Sequence, residues 1–272
     1  MKIAIALFIM LLSLNSHACN QVIKAVYGPF FSVSFYQEML SGFHASIEKI
    51  SDCKVTIKVE PTHEKFIMAL VKGEADISLI PGFYYEALQP YGLRAVYETK
   101  VEFSNILIAN KKIMSSPDIS QLRGKSIMVQ GVYSRGYFML QHWLTESGLS
   151  GQVNIDYGHR HDVIGIRLLK KQGVAGVIST AIFNRLPQKL KDQYITVKKS
   201  SSLKSLLIIS ERSPVALKPL IENSIQHMTF GEWGTVTNTK EYPQRIEDFR
   251  QQLSALIKSQ DGLILKPPKI SL

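Results

Sequence analysis

From Gln21 onward, short apolar runs alternate with longer stretches in which apolar positions recur every three or four residues. VIKAVY (22–27), VTIKVE (55–60) and ADISLI (75–80) have the length and β-branched content of strands. Between the first two lies SVSFYQEMLSGFHASIEKI, where Tyr36, Leu40, Phe43, Ile47 and Ile50 mark one helical face. Ser34 and Gln37 are spaced as a capping box for that helix. In THEKFIMALVKG, Thr62 is placed to cap and Gly73 to terminate. After Pro117 the alternation resumes: KSIMVQ (125–130), SRGYFMLQHWLTESG (134–148), QVNIDYG, HDVIGIRLLKKQG and VAGVIS (174–179) read strand, helix, strand, helix, strand.

Strands that alternate with helices predict an α/β fold in two lobes, each a mainly parallel sheet flanked by helices. Two long β-branched segments, around 95–109 and 194–210, separate the two sets and would cross between the lobes. The expected division is 19–104 for the first part of lobe 1, 105–204 for lobe 2, and 205–272 for the return to lobe 1. A ligand cleft is then expected between the lobes.

Residues 1–18 are set apart from this pattern. Lys2, an apolar run from Ile3 to Leu12 and a Ser16-His17-Ala18 end have the layout of a secretory signal peptide, cut after Ala18. The run is too short to span a bilayer. The rest of the chain is expected in the periplasm. Two cysteines follow, Cys19 just before the first strand and Cys53 just before the second. If those strands are parallel neighbours, their starting ends meet, and a Cys19–Cys53 disulfide fits an oxidising compartment. A lipid anchor on Cys19 is the competing reading, although Ser-His-Ala lacks the leucine usual three residues before a lipidated cysteine.

A formal charge of +10 raises the question of nucleic acid. The Lys and Arg residues are scattered, however, with no basic stripe on a helix and no zinc-finger, RNP or basic-zipper pattern. Such a surface suits small anions or plain solvation. Catalysis finds no support: there is no GxSxG elbow, no P-loop and hardly any carboxylate at the strand ends. His159 and His161 alternate in GHRHD, but two histidines fall short of a zinc ligand set. No metal and no cofactor are expected.

Ligands of open α/β sheets collect beyond the carboxyl ends of strands. Those positions here carry aromatics, hydroxyls and glycines: Tyr27, Phe30 and Phe31; Tyr84 and Tyr85; Tyr133, Ser134, Arg135 and Gly136; His159; Ser179 and Thr180. A helix starting at Ser134 offers unpaired N–H groups to an anion. Ser134 is equally suited to capping that helix alone, and Arg135 in its first turn opposes the dipole unless an anion or solvent offsets it.

Several motifs carry a family likeness: KGEADIS (72–78) leading to Pro81 and Tyr84-Tyr85, LRGKSIMV (122–129), Ser134-Arg135-Gly136-Tyr137, and His159 followed by LLKKQG (168–173). With them the chain resembles the phosphate/phosphonate-type substrate-binding proteins of ABC transporters, within the type 2 periplasmic-binding-protein superfamily. The resemblance implies a non-enzymatic, monomeric clamp that closes on a small anionic ligand and delivers it to a membrane permease. A partnership with a membrane sensor kinase and an exported enzyme are the alternatives. It implies that Ser134 binds the anionic group, that His159 lines the cleft, and that Tyr84 or Tyr85 covers the ligand. Where the family usually reads G-x-V-D-A, this chain has Gly173-Val174-Ala175-Gly176-Val177. The acid that would hold an amino group is missing, so aminophosphonate specificity is not implied.

Overall fold

The computed structural model describes residues 19, 21–100, 102–158, 160–229, 232–236 and 247–258. The expected signal peptide and His159 lie outside them. Among the described residues no helix is long and apolar enough to cross a membrane.

The first sheet begins with β1 (Val22–Tyr27), α1 (Val33–Ser51), β2 (Lys54–Val59), α2 (His63–Val71), β3 (Ile77–Pro81), α3 (Gly82–Leu88) and β4 (Leu93–Thr99). Its β1 side chains alternate as a half-buried strand requires. Ile23, Ala25 and Tyr27 pack with Leu40, Phe43 and Ile47 of α1, while Val26 points to Phe66 and Leu70 of α2 on the other face. Thr62 caps α2, its Oγ1 accepting the N–H of Lys65 at 3.2 Å. For α1 the cap is Ser32 and not Ser34: the helix begins at Val33, and Ser32 Oγ accepts the N–H of Phe35 at 3.3 Å.

The chain then builds a second sheet from β5 (Asn105–Asn110), β6 (Ser126–Met128), α4 (Arg135–Glu146), β7 (Asn154–Asp156), α5 (His161–Leu169), β8 (Ala175–Ser179), α6 (Thr180–Arg185), α7 (Gln188–Lys191) and β9 (Tyr194–Lys199). Leu107, Ala109 and Ile127 face Leu140 and Trp143 of α4, and Ile106, Ile108 and Met128 face Ile164 and Leu168 of α5. It returns through β10 (Ser205–Ser210), α8 (Leu217–Ser224), β11 (Trp233–Thr235) and α9 (Glu247–Lys258). Leu253 and Leu256 of α9 bury themselves in the same cluster as Phe66 and Leu70, so the end of the described chain closes the first lobe.

Strand order is β11-β4-β10-β3-β1-β2 in one sheet and β7-β6-β8-β5-β9 in the other. Both sheets are mixed, which corrects the expectation of mainly parallel ones. The strands built by βα units, β1 with β2 and β3 and β6 with β7 and β8, are parallel. The strands that arrive from the opposite lobe enter at the cleft end and run backwards: Ser205 of β10 lies beside Pro81, and Asn105 of β5 beside Ser179. Their two connections lie side by side, with Phe103 and Leu203 exchanging both backbone hydrogen bonds at 2.7 and 2.9 Å.

Parallel pairing of β1 with β2 aligns Val22 with Lys54 and brings the cysteines together. Cys19 and Cys53 form a disulfide with their Cα atoms 4.8 Å apart. That bond occupies the Sγ atom a lipid anchor on Cys19 would need.

Candidate functional site

A cleft with about 90 Å³ of free space opens where the carboxyl ends of both sheets meet. Lobe 1 contributes Phe30 and Phe31 after β1, Tyr36 and Met39 of α1, and Leu79, Ile80, Pro81 and Phe83. Lobe 2 contributes Gln130, Arg135, Gly136, His161 and Ser179. The connections supply Phe103, Ser104, Leu203 and Lys204, between Asn105 and Ser205 at the starts of the crossing strands.

Helix α4 points its N-terminus at this space. Ser134 caps it, with Oγ accepting the N–H of Tyr137 at 3.2 Å and donating to the carbonyl of Gly131 at 2.7 Å. The hydroxyl is engaged twice, and Ser134 is buried behind the wall. The next two N–H groups, of Arg135 and Gly136, have no acceptor among the described residues, and both residues line the cleft. Such groups at the dipole's positive end favour an anion. Gly136 also lets α4 approach β8, because a Cβ there would sit 3.1 Å from Val177 Cγ1.

Arg135 is the decisive side chain. It is 8% exposed. Its Nη1 donates to the Phe103 carbonyl and to Asn105 Oδ1, each at 3.4 Å, and its Nη2 to the carbonyl and hydroxyl of Ser201 at 2.7 and 3.3 Å. All these acceptors are neutral, and Nε has no partner among the described residues. Burial lowers the guanidinium to about 10, which leaves it charged at neutral pH. No carboxylate among the described residues pairs with it. A buried, uncompensated cation is unfavourable unless an anion joins it.

Other charges in the wall are balanced or absent. Lys204 pairs with Glu98 at 2.7 Å. His161 is buried and its imidazole is lowered to about 3, mainly by desolvation. It is therefore neutral, and its Nδ1 accepts the Ser179 N–H at 3.2 Å, which assigns the proton to Nε2.

Of the residues singled out from sequence, Phe30, Phe31, Arg135, Gly136 and Ser179 stand in the wall. Tyr27 is turned into lobe 1, its hydroxyl 2.7 Å from His44 Nε2 and its ring stacked on Tyr36. The Tyr85 hydroxyl accepts the Ala95 N–H at 3.3 Å inside the same lobe. Thr180 Oγ1 accepts the Ser104 N–H at 3.1 Å and so braces a connection. Tyr84 and Tyr133 meet across the lobes, the hydroxyl of Tyr84 donating to the carbonyl of Tyr133 at 2.8 Å while the Tyr133 ring packs among lobe 1 side chains. Beside them Gln130 Nε2 donates to the carbonyls of Pro29 and Phe30 at 3.4 and 3.3 Å. Sequence reasoning missed Gln130 and Asn105 and weighed His161 only as a metal ligand; His159, its candidate from GHRHD, lies outside the described residues.

The family described as ABC transporter, phosphonate, periplasmic substrate-binding protein matches residues 26–234. A comparison with curated proteins returned no match. Among solved structures, the binding-protein component of an ABC phosphonate transporter from Pseudomonas aeruginosa superposes with a TM-score of 0.71 at 12% identity, covering 88% of this chain and 89% of that one. PhnD1 from Prochlorococcus marinus, in complex with methylphosphonate, gives 0.61 at 12% identity over 86% and 83%. XAC2383 from Xanthomonas citri, bound to ATP, gives 0.58 at 13% identity over 89% and 99%. At these identities the structures establish the shared fold, and the family match adds the role: a two-lobed chain that holds a solute and catalyses nothing. It belongs to the periplasmic substrate-binding proteins of phosphonate ABC transporters.

Proposed function

We propose that this protein captures a small oxyanion between its lobes in the periplasm and delivers it to an ABC permease. The observation that carries this reading is Arg135, a buried cation facing the cleft with only neutral partners, beside two unclaimed N–H groups of α4. Together they form a positive, donor-rich corner that an anion completes. The hydrogen bonds of Tyr84 and Gln130 across the lobes support a clamp that shuts on its ligand. Both walls come from one chain, which supports a monomer. Lys2 and the apolar run behind it support export through a cleaved signal peptide.

Thermal melting of refolded, ligand-stripped protein tests the reading. Phosphate, phosphite, methylphosphonate and small sulfonates are added in turn, and at least one is expected to raise the midpoint, since a ligand specific for the native state stabilises it by mass action. No shift with any of them overturns oxyanion capture.

A further inference from the structure

We infer that the cleft takes a monoanion with a short non-polar body and no ammonium group, an alkylsulfonate fitting better than a dianionic or amino-substituted oxyanion. The inference rests on the oxyanion reading above and narrows it.

Charge sets the first limit. Arg135 is the cation in the described wall without a carboxylate partner, because Lys204 is matched by Glu98 at 2.7 Å and His161 is neutral. One negative charge balances it. A second would be carried into a low-dielectric space without a counterion.

Protons set the second. A phosphonate near neutral pH either bears that second charge or keeps a proton, which needs an acceptor. No carboxylate lines the described wall. The neutral acceptors there are weaker than a carboxylate, and Asn105 Oδ1, Ser179 Oγ and His161 Nδ1 each already take one hydrogen bond, from Arg135, the N–H of Ala181 and the N–H of Ser179. A sulfonate has one charge and no proton to place.

The remaining wall fixes the body. Phe30, Phe31, Met39, Leu79, Phe103 and Leu203 present non-polar surface. An ammonium group against them would lose its water and find no carboxylate. The free space of about 90 Å³ suits a small headgroup with a few carbons.

Isothermal titration with propane-1-sulfonate, propylphosphonate and 2-aminoethylphosphonate tests this at about pH 6 and about pH 8.5. The sulfonate is expected to bind equally at both. Propylphosphonate should weaken several-fold as it takes its second charge, and 2-aminoethylphosphonate should bind at least about tenfold more weakly than propylphosphonate. A phosphonate affinity that rises with pH, an amino ligand as tight as its alkyl counterpart, or a sulfonate weaker than propylphosphonate at both values overturns the inference while leaving oxyanion capture intact. Failure of every anion overturns both.

Discussion

Arg135 Nη2 donates to the carbonyl of Ser201 at 2.7 Å, so the uncompensated cation of the cleft also holds the connection that leads back to lobe 1. Its Nη1 reaches Phe103 on the outgoing connection. The charge proposed to hold a ligand is thereby fixed to both segments that connect the lobes.

Replacing that guanidinium separates its two roles. Arg135→Met removes a buried charge that lacks a counterion, which is close to neutral or favourable for stability, and loses hydrogen bonds worth about 1 kcal/mol each. The midpoint of melting should therefore move by only a few degrees, roughly. Anion affinity should fall about 100-fold, the scale of about 2–5 kcal/mol expected when one partner of a buried charged contact is deleted. Arg135→Lys should lie between, keeping charge without the planar fork. Unchanged titration of Arg135→Met would remove the residue from the site.

Ser134→Ala gives the opposite pattern. Its hydroxyl bonds to Gly131 and Tyr137, so its loss should lower stability by about 1 kcal/mol, as for other helix caps, and change affinity by no more than a few-fold. Chemical denaturation beside anion titration measures both. A large affinity loss at unchanged stability would restore the hydroxyl as a ligand contact.

This contrast marks how much of the protein could be read before its structure was known. Lobes, helices and crossing strands follow from periodicity, which is local: Tyr36, Leu40, Phe43 and Ile47 had to share a face, and the two long β-branched segments had to run between lobes. Sheet polarity was not legible, because it depends on which end of each sheet the connections enter. Arg135 and Ser134 are adjacent, and no sequence signal says that one side chain faces the cleft while the other turns back on its own helix. Tyr84 and Tyr133 stood in the candidate set as ligand contacts, and no sequence signal says that the Tyr84 hydroxyl donates to the Tyr133 carbonyl.

That Tyr84–Tyr133 bond joins lobe 1 to lobe 2 and should stabilise the closed form. Tyr84→Phe removes one neutral hydrogen bond of about 1 kcal/mol, and ligand affinity should drop about five-fold although the hydroxyl stands behind the cleft wall. Stopped-flow measurements should show faster ligand release with little change in association. Equal release rates would mean that the seam does not contribute to closure.

Reduction of Cys19–Cys53 should destabilise without reaching the cleft. The bridge spans 34 residues, for which the chain-entropy estimate is about 3–4 kcal/mol. A Cys19→Ser/Cys53→Ser double variant should unfold at lower denaturant with anion affinity unchanged. Equal denaturation midpoints for oxidised and variant protein would contradict a bridge between β1 and β2.

Acid should weaken the fold through its buried imidazoles. His63 sits at the start of α2 under Gly131 of lobe 2, its ring edge-on to Phe30 at 5.3 Å and its Nε2 without a partner among the described residues. Burial first, and then nearby His161, lower it from 6.5 to about 3. Burial also lowers His161 to about 3 and His44 to about 4. Because these folded values lie below the unfolded one, the unfolded chain binds protons that the native state refuses between about 6.5 and about 3. Their contribution to stability is fully present above about pH 6.5 and is lost as pH falls, at about 1.4 kcal/mol per unit for each neutral imidazole. Melting midpoints should be level above about pH 7 and decline steeply below about pH 6. His63→Phe should make that decline shallower by about one proton's worth, whatever its effect on absolute stability. An identical slope for His63→Phe and the parent protein would show that His63 is solvated or already paired in the folded state.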